Sequence, residues 1–290
     1  MLRQINFKLT KKDPFWKEKW IKLIPYKLKK STLKDWFLGR VSIPLVALDK
    51  LKFFDCNEEL SEILDNIEYV SNTTGNVVKI PISLCPDLIY LSGLILGDGC
   101  LTAVKVKRRN SIKYSYRISI AGKNKHFFEL KIVPLVRNIF QKECSLRYER
   151  GAWNLIINSK AIYRFFTKII GISSGKKSIN ARIPDLIKLL PSFESLPFLA
   201  GLIDSDIGRH GHGLGCTFRS KKLVLDLLVF LSKLGITARH YGTHYKSKKY
   251  EQNDFTIPKN QIKSLKDVLE KNYLPKQDER ILAINELAGM

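Results

Sequence analysis

Residues 91–99 read LSGLILGDG, and 108 positions later residues 199–207 read LAGLIDSDI. Each run is apolar and carries small residues four apart, Gly93 and Gly97 in the first, Gly201 and Ser205 in the second. Residues at that spacing share a helical face, and small side chains there let two backbones approach closely. The two runs are therefore expected to form helices that pack on each other and join two halves of the chain. Each run carries a carboxylate at its next-to-last position, Asp98 or Asp206. A helix C-terminus carries partial negative charge and disfavours an acid there. In a parallel pair both acids meet at one end of the interface, where a cation between them would offset the repulsion. Oxygen-ligated magnesium suits such a donor set. Paired carboxylates sharing metal ions beside a basic surface describe a phosphodiester hydrolysis site.

The flanking sequence repeats as well. After the first run, Thr102–Arg109 and Lys113–Ile120 alternate as two strands, a helix spans Lys125–Phe140, two strands turn at Gly151, and Lys160–Ile170 is helical. After the second run come a short hairpin in 207–219, a helix at Lys221–Leu234, strands at Thr237–Tyr245 and Tyr250–Ile257, and a helix at Asn260–Leu269. The same order twice is an internal duplication. The expected fold is α+β, two pseudo-symmetric αββαββα repeats forming a β-saddle, preceded by a small helical domain. Residues 1–64 form the helical region, 65–83 a linker with a hairpin about Asn72–Asn76, 84–189 the first repeat and 190–290 the second. In the helical region Ser31 or Thr32 is the expected cap of a helix stopped at Gly39, and Ser42 and Pro44 open the next one. Leu28, Leu33, Trp36, Phe37, Leu45, Leu48 and Leu51 should bury one side of this cluster.

Charge points to the partner. Fifty Lys and Arg against 27 Asp and Glu leave a formal net charge of +23, which predicts a polyanion, because phosphate contacts reward distributed positive charge. The hairpin residues Lys105, Lys107, Lys113 and Arg117 are expected on a basic strand face, with Arg209, Lys176, Lys177 and Lys34 as further contacts to that polyanion. Five scattered cysteines with no C-x-x-C spacing exclude a disulfide framework and a zinc ribbon and suit a reducing, intracellular setting, cytoplasmic or nucleoid. The longest apolar run is too short to span a bilayer. His210 and His212 form an H-x-H without a third ligand and read as a loop near DNA or solvent. Trp153, Phe165 and Phe166 read as core, and the 244–250 stretch as a basic turn on the DNA backbone.

The two quoted runs resemble the signature helices of the LAGLIDADG homing endonucleases in their two-motif, single-chain form. The segment GISSGKKSINARIPDLI (171–187) resembles one that many members carry before the second motif. The likeness covers about residues 84–275. It implies a site-specific, magnesium-dependent double-strand endonuclease of the intron-homing kind, a monomer on a long asymmetric or pseudo-palindromic DNA site. Asp98 and Asp206 would bind metal, with Gly97 and Ser205 contributing to the metal site. Lys123 and Arg219, at the end of the second strand of each repeat, would assist catalysis by stabilising charge on the phosphate. Residues Ser31–Leu38 resemble the recognition helix of a repressor-type helix-turn-helix. Two departures stand out: Leu96 replaces an acid inside the first motif, and Ile207 replaces the glycine expected to stop the second helix with a positive φ. These leave open a catalytically impaired DNA-binding regulator or an intron RNA maturase. Starting at Met1 and ending ELAGM, the chain is not expected to be a self-splicing intein.

Overall fold

The computed structural model describes every residue except 1, 26, 42, 52–53, 55–66, 72–76, 109–110, 176, 247–249 and 290. The chain divides into two compact units, Met1–Val77 and Val78–Met290.

The first unit holds four described helices, α1 (Leu2–Lys12), α2 (Trp16–Leu23), α3 (Lys30–Phe37) and α4 (Leu45–Lys50). Leu33, Trp36, Phe37, Leu48 and Leu51 are buried as expected, with Leu28 packed at the margin. Trp16 and Trp20, fully buried and 5.7 Å apart ring to ring, form the centre of this core. They sit four apart in a Lys-rich helix, so the sparse apolar pattern of α2 hid them. The Trp20 indole N–H donates to the Ala47 carbonyl at 3.1 Å and ties α2 to α4. Helix α3 begins at Lys30, with Lys29 at the cap position and no side-chain cap, so Ser31 and Thr32 lie inside the first turn. Its stop is the expected one: Gly39 has φ +71°, and Arg40 N–H reaches the Asp35 carbonyl at 2.9 Å. Pro44 is the cap residue of α4 rather than part of its first turn, and Ser42 lies outside the described residues. Strands β1 (Tyr69–Ser71) and β2 (Val77–Lys79) pair around the expected turn, whose own residues are outside the described set.

The second unit opens with α5 (Pro86–Gly97). It continues through β3 (Gly99–Arg108), β4 (Ser111–Gly122), α6 (Lys125–Phe127), a π-helical turn (Phe128–Ile132), α7 (Val133–Phe140), β5 (Ser145–Glu149) and β6 (Ala152–Asn158). The π turn precedes Pro134, which lacks the N–H an α-turn would require. After α8 (Lys160–Arg164) and a second π turn (Phe165–Ile170) come α9 (Lys177–Asn180) and α10 (Asp185–Lys188). The second repeat is α11 (Leu196–Ser205), β7 (Gly208–His210), β8 (Gly213–Phe218), α12 (Lys221–Ser232), β9 (Arg239–Lys246), β10 (Tyr250–Ile257) and α13 (Lys259–Asn272). A last helix, α14 (Asp278–Gly289), was not expected from the pattern.

The duplication is visible in the sheets. The first has strand order β3-β4-β6-β5 and the second β7-β8-β10-β9, so each repeat places its four strands in the same sequence. All described pairings in both are antiparallel. Leu101, Ile118, Ile120, Leu155 and Ile157 are buried on one face of the first sheet, and Leu214, Phe255 and Ile257 in the second. The α+β saddle fold is the one expected.

The strand faces require a correction. Opposed residues of an antiparallel pair share a face. The register sets Thr102 against Arg117, Val104 against Ser115 and Val106 against Lys113, whereas Lys105 faces Tyr114 and Lys107 faces Ile112. Lys105 and Lys107 therefore lie on the opposite face from Arg117 and Lys113. Alternation fixes the two faces within one strand, but which face meets which depends on the turn between strands. That turn includes residues 109–110, outside the described set. Val104 and Val106 are 55% and 39% exposed beside Arg117 on the open face.

Candidate active site

Helices α5 and α11 are the two signature runs, and burial explains their composition. Every residue from Leu88 to Leu96 is buried, as is all of α11. A helix apolar all round belongs in a core. Pro86 and Pro197 sit in the first turns, where a missing N–H costs nothing. The two helices cross at Gly93 and Gly201. A Cβ on Gly93 would overlap the Phe198 carbonyl; one on Gly201 would overlap the Tyr90 carbonyl and lie 2.7 Å from the Leu94 amide. The helices thus touch backbone to backbone, which only glycine allows.

One turn on, the carboxylates converge. A Cβ built on Gly97 would overlap the Ser205 hydroxyl and come within 3.1 Å of Asp206 Oδ2. The Asp206 carboxylate therefore lies against the end of α5, from which Asp98 follows directly. Both aspartates are helical C-cap residues. Asp98 is exposed and Asp206 half-buried. On β8, the Cys216 thiol senses them together: burial first, then Asp206 and Asp98, push it up to about 12. Iodoacetamide reacts with the thiolate, so Cys216 in the native protein should alkylate slowly near pH 8 and faster only toward that higher range. Asp206→Asn should lower the required pH, and Asp98→Asn should lower it less. Peptide mass spectrometry at Cys216 across a pH series reads both, and an unchanged profile in both variants would contradict the shared field.

Lys123 and Arg219 occupy matching positions. Each stands between the second strand of its repeat and the cap of the next helix, where Asn124 accepts from Phe127 N–H at 3.0 Å and Ser220 from Leu223 N–H at 3.3 Å. Lys123 is exposed and Arg219 half-buried. The expected glycine role at the second stop is corrected: neither Gly99 nor Ile207 has a positive φ. Ile207 is fully buried, with its N–H on the Leu202 carbonyl at 2.9 Å, so the helix ends without a left-handed residue.

Other expected contacts are placed variously. Arg117 is exposed on the open face of the first sheet, and Lys34 is exposed on α3. Arg209 turns toward α14, its Nη1 3.6 Å from Glu286. Lys176 lies outside the described residues, as do the side chains of Lys113, Lys177 and the 244–250 turn. His210 Nδ1 is 3.2 Å from Thr256 Oγ1, and His212 is exposed in the turn after it. Among the described residues no cluster of three or more His, Cys, Asp or Glu could hold a metal. The donors at the helix ends are carboxylate and carbonyl oxygens, which fit a hard divalent ion. Phe165 and Phe166 are core as expected. Trp153 is only half-buried, 5.2 Å from the Tyr148 ring and with Lys125 Nζ 5.1 Å from its centroid.

Asp204 was missed as a structural centre. It is 1% exposed and accepts from Tyr90 Oη at 2.6 Å, Lys276 N–H at 2.6 Å and Gln277 N–H at 3.1 Å. Burial holds its carboxyl above the usual range against those hydrogen bonds. The Tyr90 phenol, raised far up by burial and by Asp204, stays a donor.

No family model matches the chain. Homing endonuclease I-DmoI of Desulfurococcus mucosus is 24% identical over 152 residues, which is 51% of this chain and 70% of I-DmoI. The chain is similar in sequence to this homing endonuclease and shares its fold. A solved structure of I-DmoI mesophilic variants matches with a TM-score of 0.54 at 20% identity, covering 68% of this chain and 96% of that one. I-DmoI in complex with DNA and Ca matches at 0.53 and 20%, with the same coverage. An iron-sulfur cluster assembly SufBD family protein of Mycobacterium leprae is 27% identical over 162 residues, 54% of this chain but only 17% of that protein's length. No helix among the described residues is long and apolar enough to cross a membrane.

Proposed function

We propose that the chain is a site-specific double-strand DNA endonuclease that hydrolyses phosphodiester bonds with a divalent metal ion, magnesium by preference. The observation that carries this reading is the meeting of one aspartate from each repeat at the joined ends of α5 and α11. I-DmoI, a relative by sequence and fold, has been solved with DNA and Ca. Asp98 and Asp206 would hold the ion, with the helix ends at Gly97 and Ser205 contributing to its site. The ion supplies Lewis acidity and lowers the pKa of bound water. Lys123 and Arg219, at equivalent chain positions in the two repeats, would stabilise charge on the scissile phosphate. Arg117 reads the major groove from the open strand face, a groove that admits a β-ribbon. Lys113 is in register with Arg117's face and joins it at the groove, whereas Lys105 and Lys107, on the other face, reach the DNA backbone instead, as do Lys176, Lys177, Arg209 and Lys34. The first unit adds a helix-turn-helix-like contact through α3. The partner is a long, asymmetric or pseudo-palindromic duplex bound by one copy of the chain.

A plasmid library of randomised targets, incubated with the full chain and Mg²⁺, should yield double-strand cuts at one related set of sequences. Binding without cutting of any member would indicate a regulator. Preference for structured intron RNA over duplex would indicate a maturase. Either result overturns the proposal.

A further inference from the structure

Helix α14 follows the second repeat and has no counterpart in the first, and the residues leading into it are docked on the end of α11. The backbone N–H groups of Lys276 and Gln277 donate to Asp204, and Gln277 Nε2 donates to the Asp204 carbonyl at 2.6 Å. Arg280 then reaches the next carbonyl along, its Nη2 donating to Ser205 O at 3.1 Å. Its Nη1 lies so close to Gly208 that a Cβ there would overlap it. The guanidinium is thus held between the residue before Asp206 and the first residue of β7.

We propose that Arg280 is a positioning residue for the Asp206 half of the site, a fixed cation seated on the negative end of α11. The inference rests on the nuclease reading. Two helix C-termini and two carboxylates converge there, and each carries or accumulates negative charge. A guanidinium is always protonated and presents donors in a rigid fork, so it can offset part of that charge while fixing the Ser205 carbonyl. The same electrostatic neighbourhood reaches Cys216, whose thiol is pushed up by burial first, then by Asp206 and Asp98, and drawn down by Arg280. Gly208 is needed for this seat, because a side chain at that position would displace the guanidinium. In the first motif Leu96 stands at the position equivalent to Asp204, so the anchoring acid belongs to the second motif.

A fixed positive charge beside the carboxylates repels a second cation, so it lowers divalent affinity while holding the ligands in place. Calcium binding to the full chain, measured by calorimetry without DNA, tests this. Arg280→Gln keeps a donor for Ser205 O but removes the charge, and it should bind Ca²⁺ about 3- to 10-fold more tightly than the unsubstituted chain. Arg280→Lys keeps the charge and should bind Ca²⁺ as the unsubstituted chain does. A purely structural role predicts the reverse, weaker binding in Arg280→Gln as the site loosens. Melting curves confirm that both variants are folded, and the lysine variant carries the test if the glutamine one is not. Calcium affinity that is unchanged or weaker in Arg280→Gln, or a folded Arg280→Lys that binds more tightly, overturns the proposal alone. No Ca²⁺ binding by the unsubstituted chain, or binding indifferent to Asp98→Asn and Asp206→Asn, overturns the nuclease reading with it.

Discussion

Asp98→Asn and Asp206→Asn should each reduce DNA cleavage at least about 10³-fold, since losing several kcal/mol of charge stabilisation at about 1.4 kcal/mol per decade removes that much rate. Binding should persist or tighten. Each substitution removes a negative charge from a surface that has to approach phosphates, and association strengthens as that repulsion falls. Because the acids come from different repeats, each variant damages a different half of a shared site. Loss of both cuts by either substitution would mean that the halves share metal. Nicking of one strand by one variant would mean that they act separately. Both results keep the acids at the centre. Full cleavage by Asp98→Asn, beside a gel shift equal to that of the unsubstituted chain, would remove Asp98 from the chemistry.

The location of these acids was legible because several local signals agreed. A small-residue stripe, an apolar run and a terminal acid, each written twice, specify a helix pair and its meeting point. The sheet topology was legible for the same reason: the alternation in β3 and β4 and the helical stretches repeat in order. What alternation did not carry was the mutual phase of two strands. Lys105 and Lys107 went to the wrong face because one residue more or less in a turn flips every side chain. Trp16 and Trp20 were hidden by the lysines around them, although spacing four apart on a short helix was there to be read. Helix α14 had its own signal in Asp278 and Glu279, acids in a first turn followed by an apolar pattern. Asp204 was in plain view inside the second motif. Its role came from residues more than 70 positions later, a distance over which sequence pattern carries no information. Ile207 illustrates the opposite error. A glycine rule was applied to a helix end whose backbone never enters the left-handed region.

Gly93→Ala and Gly201→Ala should each destabilise the second unit by about 3 kcal/mol or more, the upper end of what inserting a methyl into a packed interior costs. A flexible neighbour could move aside, but these methyls meet backbone: the Phe198 carbonyl in one case, the Tyr90 carbonyl and Leu94 amide in the other. Relief requires the whole helices to separate. Separation also removes Asp98 from Asp206, and a misplacement of about 1 Å is enough to cost about 10²-fold in rate. Activity should therefore fall in variants that are still folded at low temperature. The two substitutions act on one crossing, so their effects should not add. Once the first methyl has pushed the helices apart, the second fits into space already opened, and the double variant should be more stable than the sum predicts. Thermal melts followed by circular dichroism, with the two single variants and the double, measure the coupling. Strict additivity would mean that the two glycines do not share a contact and that the helices carrying Asp98 and Asp206 are not held together at this crossing.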